Sequence, residues 1–150
     1  MKMPKYAIKA DPEKTAKAYG FEIHCSHKDS MNIAYALKGM DVNKAKEYLE
    51  DIINMKKPVP AIFHNRKRSH QKGIGSGSFP KKAAKNILSI IENAENNAEY
   101  KGFDVDNMKI SHISAYRGRK IRGIMPRAHG RATDKNEITT NIEVVIEEVE

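Results

Sequence analysis

Residues 107–133, NMKISHISAYRGRKIRGIMPRAHGRAT, contain no aspartate or glutamate. They carry Lys109, Arg117, Arg119, Lys120, Arg122, Arg127 and Arg131, with His112 and His129 among them. A buried charge without a partner loses its hydration, so this run cannot form an interior. It also has no carboxylates of its own to pair with. It must lie on a surface or project from one, and its natural complement is a dense polyanion such as a phosphate backbone. Between Arg117 and Arg131 arginine outnumbers lysine five to one. That bias favours bidentate phosphate contacts and stacking on bases. Gly118, Gly123, Pro126 and Gly130 punctuate the run and permit sharp bends and close backbone approach.

A second acid-free window spans 52–91 and holds Lys56, Lys57, Arg66, Lys67, Arg68, Lys72, Lys81, Lys82 and Lys85. The two windows account for 16 of the 27 Lys and Arg residues, so the rest of the chain sets 11 cations against 19 acids and is net −8, although the whole is net +8. An acidic-to-neutral body bearing two basic segments points to a polyanionic partner rather than to general adhesiveness. The chain has 150 residues, the size of one ordinary domain. A single cysteine, Cys25, excludes an internal disulfide framework and fits a reducing compartment. No apolar stretch reaches the length of a bilayer span, and the first residues lack the apolar core of a signal peptide. Neither basic window forms an amphipathic helix with an aromatic face, which argues against a membrane-surface role. These features predict a soluble intracellular protein.

Residues 1–18 are polar and proline-punctuated and read as an arm. Tyr19, Phe21, Ile23 and Cys25 alternate with Gly20, Glu22, His24 and Ser26, which predicts a half-buried strand with the first set inward. Ser26 and Asp29 resemble a capping box, followed by Ile33, Ala34 and Leu37 as an apolar stripe and Gly39 as a stop. Asp41 is a suitable N-cap for a second helix, with Val42, Ala45, Leu49 and Ile52 at helical spacing. Lys56 and Lys57 suit its negative end, and Pro58 and Pro60 end it. Residues 61–79 read as an insert-like basic loop. Pro80 opens a third helix at its first position, Ala84, Ile87, Leu88, Ile91, Ala94 and Ala98 give its face, and Gly102 ends it. The body therefore spans 19–106. Met108–Tyr116 and Ile138–Val149 read as strands, the second with Ile138, Thr140, Ile142, Val144 and Ile146 inward. Joined by the basic stretch, they predict an antiparallel hairpin with its tip at 117–131. Arms of roughly 10–15 residues reach on the order of 35–50 Å. So long a two-stranded ribbon is unstable alone, and something outside the chain is expected to order its distal part.

Several motifs superficially suggest chemistry. Gly73–Gly77 superficially resembles a phosphate loop but lacks the Gly-Lys-Ser/Thr ending and its strand-loop-helix setting. The loop's Arg66, Lys67, Arg68 and Lys72 suit a phosphate backbone instead. Lys81 and Lys82 stand beside the free N–H groups of a helix start, a favourable phosphate site. His24 and Cys25 fall on opposite faces of a strand and do not make a zinc site with His27; Cys25 reads as a small core residue. No cofactor site, metal site or catalytic constellation is recognisable. An RNA-processing enzyme would have to draw on His112, His129 and Tyr116 for acid/base chemistry, and a free RNA chaperone or architectural DNA-binding protein is the other alternative.

The run IMPRAHGRA at 124–132, preceded by a basic turn and followed by a strand ending VVIEE, closely resembles a universal family of large-subunit ribosomal proteins. It is the family numbered twenty-two in the bacterial order, in its archaeal and eukaryotic form. Pro80–Leu88, Asn93–Asp106 and Ala34–Ile52 are similar to the same family, as are Tyr6, Pro12 and Glu13, so the resemblance is nearly full length. It implies an α+β fold with three helices packed on a small three-stranded antiparallel sheet and a long protruding β-hairpin. It implies a monomeric, non-enzymatic protein of cytoplasmic ribosomes without a cofactor. Its partners would be 23S-type rRNA at several rRNA domains, neighbouring large-subunit proteins and the nascent polypeptide, and it would aid subunit assembly. Its globular part would sit near the exit-tunnel mouth. The rRNA contacts would be Lys81, Lys82, Arg117, Arg119, Lys120, Arg122, Arg127, His129 and Arg131. Lys120, Ile121, Arg122, Gly123, Ile124, Met125 and Pro126 would line the polypeptide exit tunnel. The chain departs from the family where relatives often carry arginine in place of His24 and proline in place of His27, and its 61–79 loop has no fixed counterpart.

Overall fold

The computed structural model describes residues 6–148; the start of the predicted arm (1–5) and Val149 of the predicted last strand lie outside them. The described elements run β1 (Thr15–Ile23), α1 (His27–Leu37), α2 (Val42–Ile53), β2 (Val59–Pro60), β3 (His70–Gln71), β4 (Gly75–Ser78), α3 (Lys81–Lys101), β5 (Met108–Ile121), β6 (Ile124–Pro126), β7 (Ala132–Asp134) and β8 (Glu137–Glu148). The main sheet is three-stranded and antiparallel in the order β1-β8-β5. The helices cover one of its faces: α3 lies on β1, α1 on β5, and α2 packs on α3. The chain is thus α+β, with three helices on an antiparallel sheet.

The helices form where apolar spacing and caps coincide. Ser26 accepts a hydrogen bond from the Asp29 N–H at 3.4 Å and opens α1. Asp41 occupies the N-cap of α2, but its carboxylate turns to Lys44 at 2.6 Å instead of capping. Pro80 is the N-cap of α3 rather than its first helical residue, and Gly102 closes the helix in the left-handed conformation (φ 81°), where a side chain would be strained. Ile33, Leu37, Val42, Leu49, Ile52, Ile87 and Ile91 have no exposed surface and meet Ile110, Ile142 and Ile146 of the sheet in one core.

Three sequence expectations are corrected. The first strand starts at Thr15, and its inward residues up to the bulge are Ala16, Ala18 and Gly20, while Phe21 is 66% exposed. An irregularity between Gly20 and Ile23, with Glu22 at φ 47°, inverts the alternation so that Cys25 still points inward. Second, β8 buries Thr139 and Glu143, which alternate with the set read as inward, and Val145 with them, while Ile138 of the inward set is only half-buried. As the central strand it is flanked on both sides, and the segment before β1 crosses over it: the Ala7 N–H donates to Glu143 Oε2 at 3.3 Å. Third, the 61–79 loop is not irregular throughout, since β2, β4 and β3 make a second small sheet. The loop is also held to α1 by Asn32, whose side chain donates to the Phe63 carbonyl (3.0 Å) and accepts from the Phe63 N–H (2.8 Å).

Candidate nucleic-acid interface

The acid-free run of 107–133 becomes β5, the turn into β6, β6 itself, the turn from β6 into β7 and the start of β7. Its root is fixed to the body. Arg117 pairs with Thr140 across the sheet and donates from Nε to His27 Nε2 at 3.1 Å, while Thr140 Oγ1 donates to the Cys25 carbonyl at 2.8 Å. Both bonds end at the start of α1. Burial first, and the charge of Arg117 second, hold the His27 pKa below its ordinary 6.5. The ring is then a neutral acceptor for the guanidinium.

Beyond the root the register shifts between Arg117 and Lys120, and Thr139 Oγ1 donates to the Arg119 carbonyl at 3.1 Å. Lys120 faces Ile138 and Ile121 faces Glu137. The chain then narrows at Gly123, whose carbonyl accepts the Lys135 N–H at 2.8 Å. A Cβ on Gly123 would stand 2.6 Å from the Lys135 carbonyl oxygen, so the close approach of the two backbones requires glycine. Ile124, Met125 and Pro126 of β6 then pair with Asp134, Thr133 and Ala132 of β7.

The far turn is closed by the Arg127 N–H donating to the Arg131 carbonyl at 2.7 Å. His129 (φ 60°) and Gly130 (φ 67°) reverse the chain in left-handed conformations. Arg127 and Arg131 leave from the two closing positions, with Arg127 Nε 3.4 Å from Thr133 Oγ1. Every residue from Ile124 to Glu137 is exposed. Among the described residues no carboxylate pairs with Arg119, Lys120, Arg122, Arg127 or Arg131. These unneutralised cations on an exposed ribbon suit phosphate contact.

The remaining basic residues divide. Lys81 and Lys82 are exposed in the first turn of α3, an end that no side chain caps among the described residues. Arg66, Lys67 and Lys72 are exposed in the loop. Arg68 is engaged internally, with Nη2 at 2.5 Å from Asp29 and Nη1 at 3.3 Å from Ser78 Oγ. His24 lies outside this group as well, held 3.1 Å from Glu137.

His112, Tyr116 and His129 are not brought together. His112 Nε2 meets Glu143 Oε1 at 3.0 Å, Tyr116 shares a 2.8 Å hydrogen bond with the Tyr19 hydroxyl, and His129 sits at the far turn. Burial and then the Tyr19 hydrogen bond push the Tyr116 phenol well above its ordinary pKa, which suits a structural hydroxyl rather than a proton shuttle. Sequence reasoning missed Glu143 and Asn32. The signal for Glu143 was a carboxylate in the middle of Ile138–Ile146, whose other residues except Asn141 are β-branched; Asn32 gave none.

The chain matches the family described as Ribosomal protein L22p/L17e over residues 18–147. It is 45% identical over 146 residues to the large ribosomal subunit protein uL22 of Methanococcoides burtonii, with 97% of each chain covered. It is 47% identical over 142 residues to the protein of that name from Methanopyrus kandleri, covering 92% of this chain and 89% of the relative. With the one from Methanococcus maripaludis the identity is 44% over 147 residues and 96% of both chains. Because the match runs from β1 through the helices and along both arms of the basic ribbon, the chain belongs to the ribosomal protein L22p/L17e family.

Proposed function

We propose that the chain is a structural, non-catalytic constituent of the large ribosomal subunit that binds 23S-type rRNA through the ribbon. The observation that carries this reading is the run Arg117–Arg131, whose cations have no carboxylate partners among the described residues and whose root is bonded to the folded body. Such a ribbon neutralises phosphates inside folded RNA by position and shape rather than by chemistry. The relatives' shared name, large ribosomal subunit protein, supports the choice of this polyanion over others.

On this reading Arg117, Arg119, Lys120, Arg122, Arg127, His129 and Arg131 contact rRNA along the ribbon, and Lys81 and Lys82 do so from the start of α3. Arg66, Lys67 and Lys72 extend the contact across the loop, with Arg68 holding the loop in place. The stretch Lys120–Pro126 lines the polypeptide exit tunnel and faces the nascent chain, and the body lies near the tunnel mouth beside other large-subunit proteins. The protein is a monomer there, helps several rRNA domains assemble, and works in the cytoplasm. The test is charge reversal at Arg127 and Arg131 together. Incorporation into large subunits should fall sharply at physiological salt; unchanged incorporation would overturn the reading.

A further inference from the structure

The face of the main sheet turned away from the helices is only half covered. Strand register sets Tyr19, Glu143 and Ser114 side by side across it, with Asn141 and Tyr116 as the next pair. The segment before β1 covers the first row: the Tyr6 ring meets Tyr19 edge-on at 6.0 Å, and the Ala7 N–H bonds Glu143. Among the described residues the second row has no such cover. Phe21 is 66% exposed and Tyr116 37%. Among the described residues the Phe21 ring has one aromatic neighbour, Tyr19, at 6.4 Å and tilted by 31°. Asn141 Oδ1 accepts the Glu22 N–H at 2.8 Å, and its amide nitrogen has no partner among the described residues. Gly118 stands beside them without a side chain, and a Cβ there would crowd Thr139 Oγ1 (2.5 Å) and Asn141 Oδ1 (3.3 Å). Arg119 and Lys120 follow directly on the same strand.

We infer that this bare end is a stacking platform for one unpaired RNA base, with Phe21 as the ring beneath it and the Asn141 amide at its edge. The inference rests on the rRNA-binding reading above. RNA is read chiefly through splayed, unpaired bases stacked on aromatic side chains, and a ring stacks with any base because every base has a π face. The platform is small, and it lies beside an amide donor without a partner and continues into cations without a carboxylate neighbour, both among the described residues. That surrounding suits a nucleotide with its phosphate. A protein neighbour would call for a broader apolar patch.

The chain contains no tryptophan, so Phe21→Trp in the full-length protein places a single reporter on the platform. Purified large-subunit rRNA should quench its emission over the same concentrations at which filter binding shows complex. Phe21→Leu should weaken that binding roughly ten-fold or more, and Phe21→Tyr should restore it. Melting curves for each variant control for folding, which an exposed position should not disturb. If the tryptophan variant binds rRNA with unchanged emission and the leucine variant binds as the parent does, the platform is wrong while the rRNA reading stands. If the unsubstituted chain fails to bind rRNA, the rRNA reading fails and the platform with it. Shielding of the tryptophan only in assembled subunits, without quenching by rRNA alone, would assign the face to a protein neighbour and overturn the base.

Discussion

Arg117 Nε donates to His27 Nε2 across 3.1 Å and so joins the root of the basic ribbon to the first residue of α1. The bond requires a neutral imidazole, and burial together with the Arg117 charge keeps the folded pKa below the ordinary 6.5. As pH falls, the unfolded chain takes up this proton first. The stability involved is therefore complete above about pH 6.5 and is lost as pH falls below that value toward the depressed folded pKa. The melting midpoint of the parent should drop between about pH 7 and pH 5 more than that of His27→Gln. At neutral pH the same substitution should cost about 1 kcal/mol, the worth of one hydrogen bond. Parallel pH profiles would refute the account.

Glu143 is a carboxylate with no exposed surface, shared between His112 and the Ala7 N–H. Glu143→Ala strands both donors and should destabilise the fold by about 3–5 kcal/mol in chemical denaturation. It should also release the segment before β1, which limited proteolysis would report as earlier cleavage near residues 7–12.

The Arg68–Asp29 pair ties the small second sheet to α1, and each side chain is less than a quarter exposed. Asp29→Asn should lower stability by about 1–2 kcal/mol. Amide exchange should quicken in β3 and β4 with little change in α3. Uniform quickening across all elements would mean that the pair supports the whole fold instead.

Gly123→Val places a branched side chain against the Lys135 carbonyl and should disorder the ribbon beyond it without touching the core, which includes no residue between Tyr116 and Ile138. Deleting Lys120–Gly123 should likewise leave the melting midpoint of the body within a few degrees of the parent while changing the ribbon's geometry inside assembled subunits. A collapsed melting transition would show that the ribbon carries part of the body's stability.

The helices were legible because their signals are local. The Val42, Ala45, Leu49, Ile52 stripe and the Ala84–Ala98 face lie within single turns of their neighbours, and Asp41, Pro80 and Gly102 mark ends through backbone chemistry alone. The exposed ribbon was legible because charge without counter-charge has nowhere to hide. What failed was set by tertiary placement. Alternation cannot reveal that β8 lies between two strands, so Glu143 and Thr139 read as outward residues. The inversion at Glu22 depends on a bulge opposite Asn141, 119 residues away in sequence. Nor does a run of glycine, serine and basic residues reveal that Val59 and Pro60 pair with Ser78 and Gly77. Within the candidate site, sequence could not separate Arg68, held by Asp29, from Arg66 and Lys67, which remain exposed.

The strand order β1-β8-β5 has a consequence for synthesis. β1 and β5 form no ladder with each other; each forms its ladder with β8, the last described element to be made, and β5 has besides it a single bridge from Lys109 to Asp41. Until residues 137–148 have been synthesised, the sheet has two edges and no middle, and the helices have no complete surface to settle on. The cationic stretch is therefore complete before the body can close. Before the final strand is in place the chain is a polycation whose main sheet lacks its middle strand.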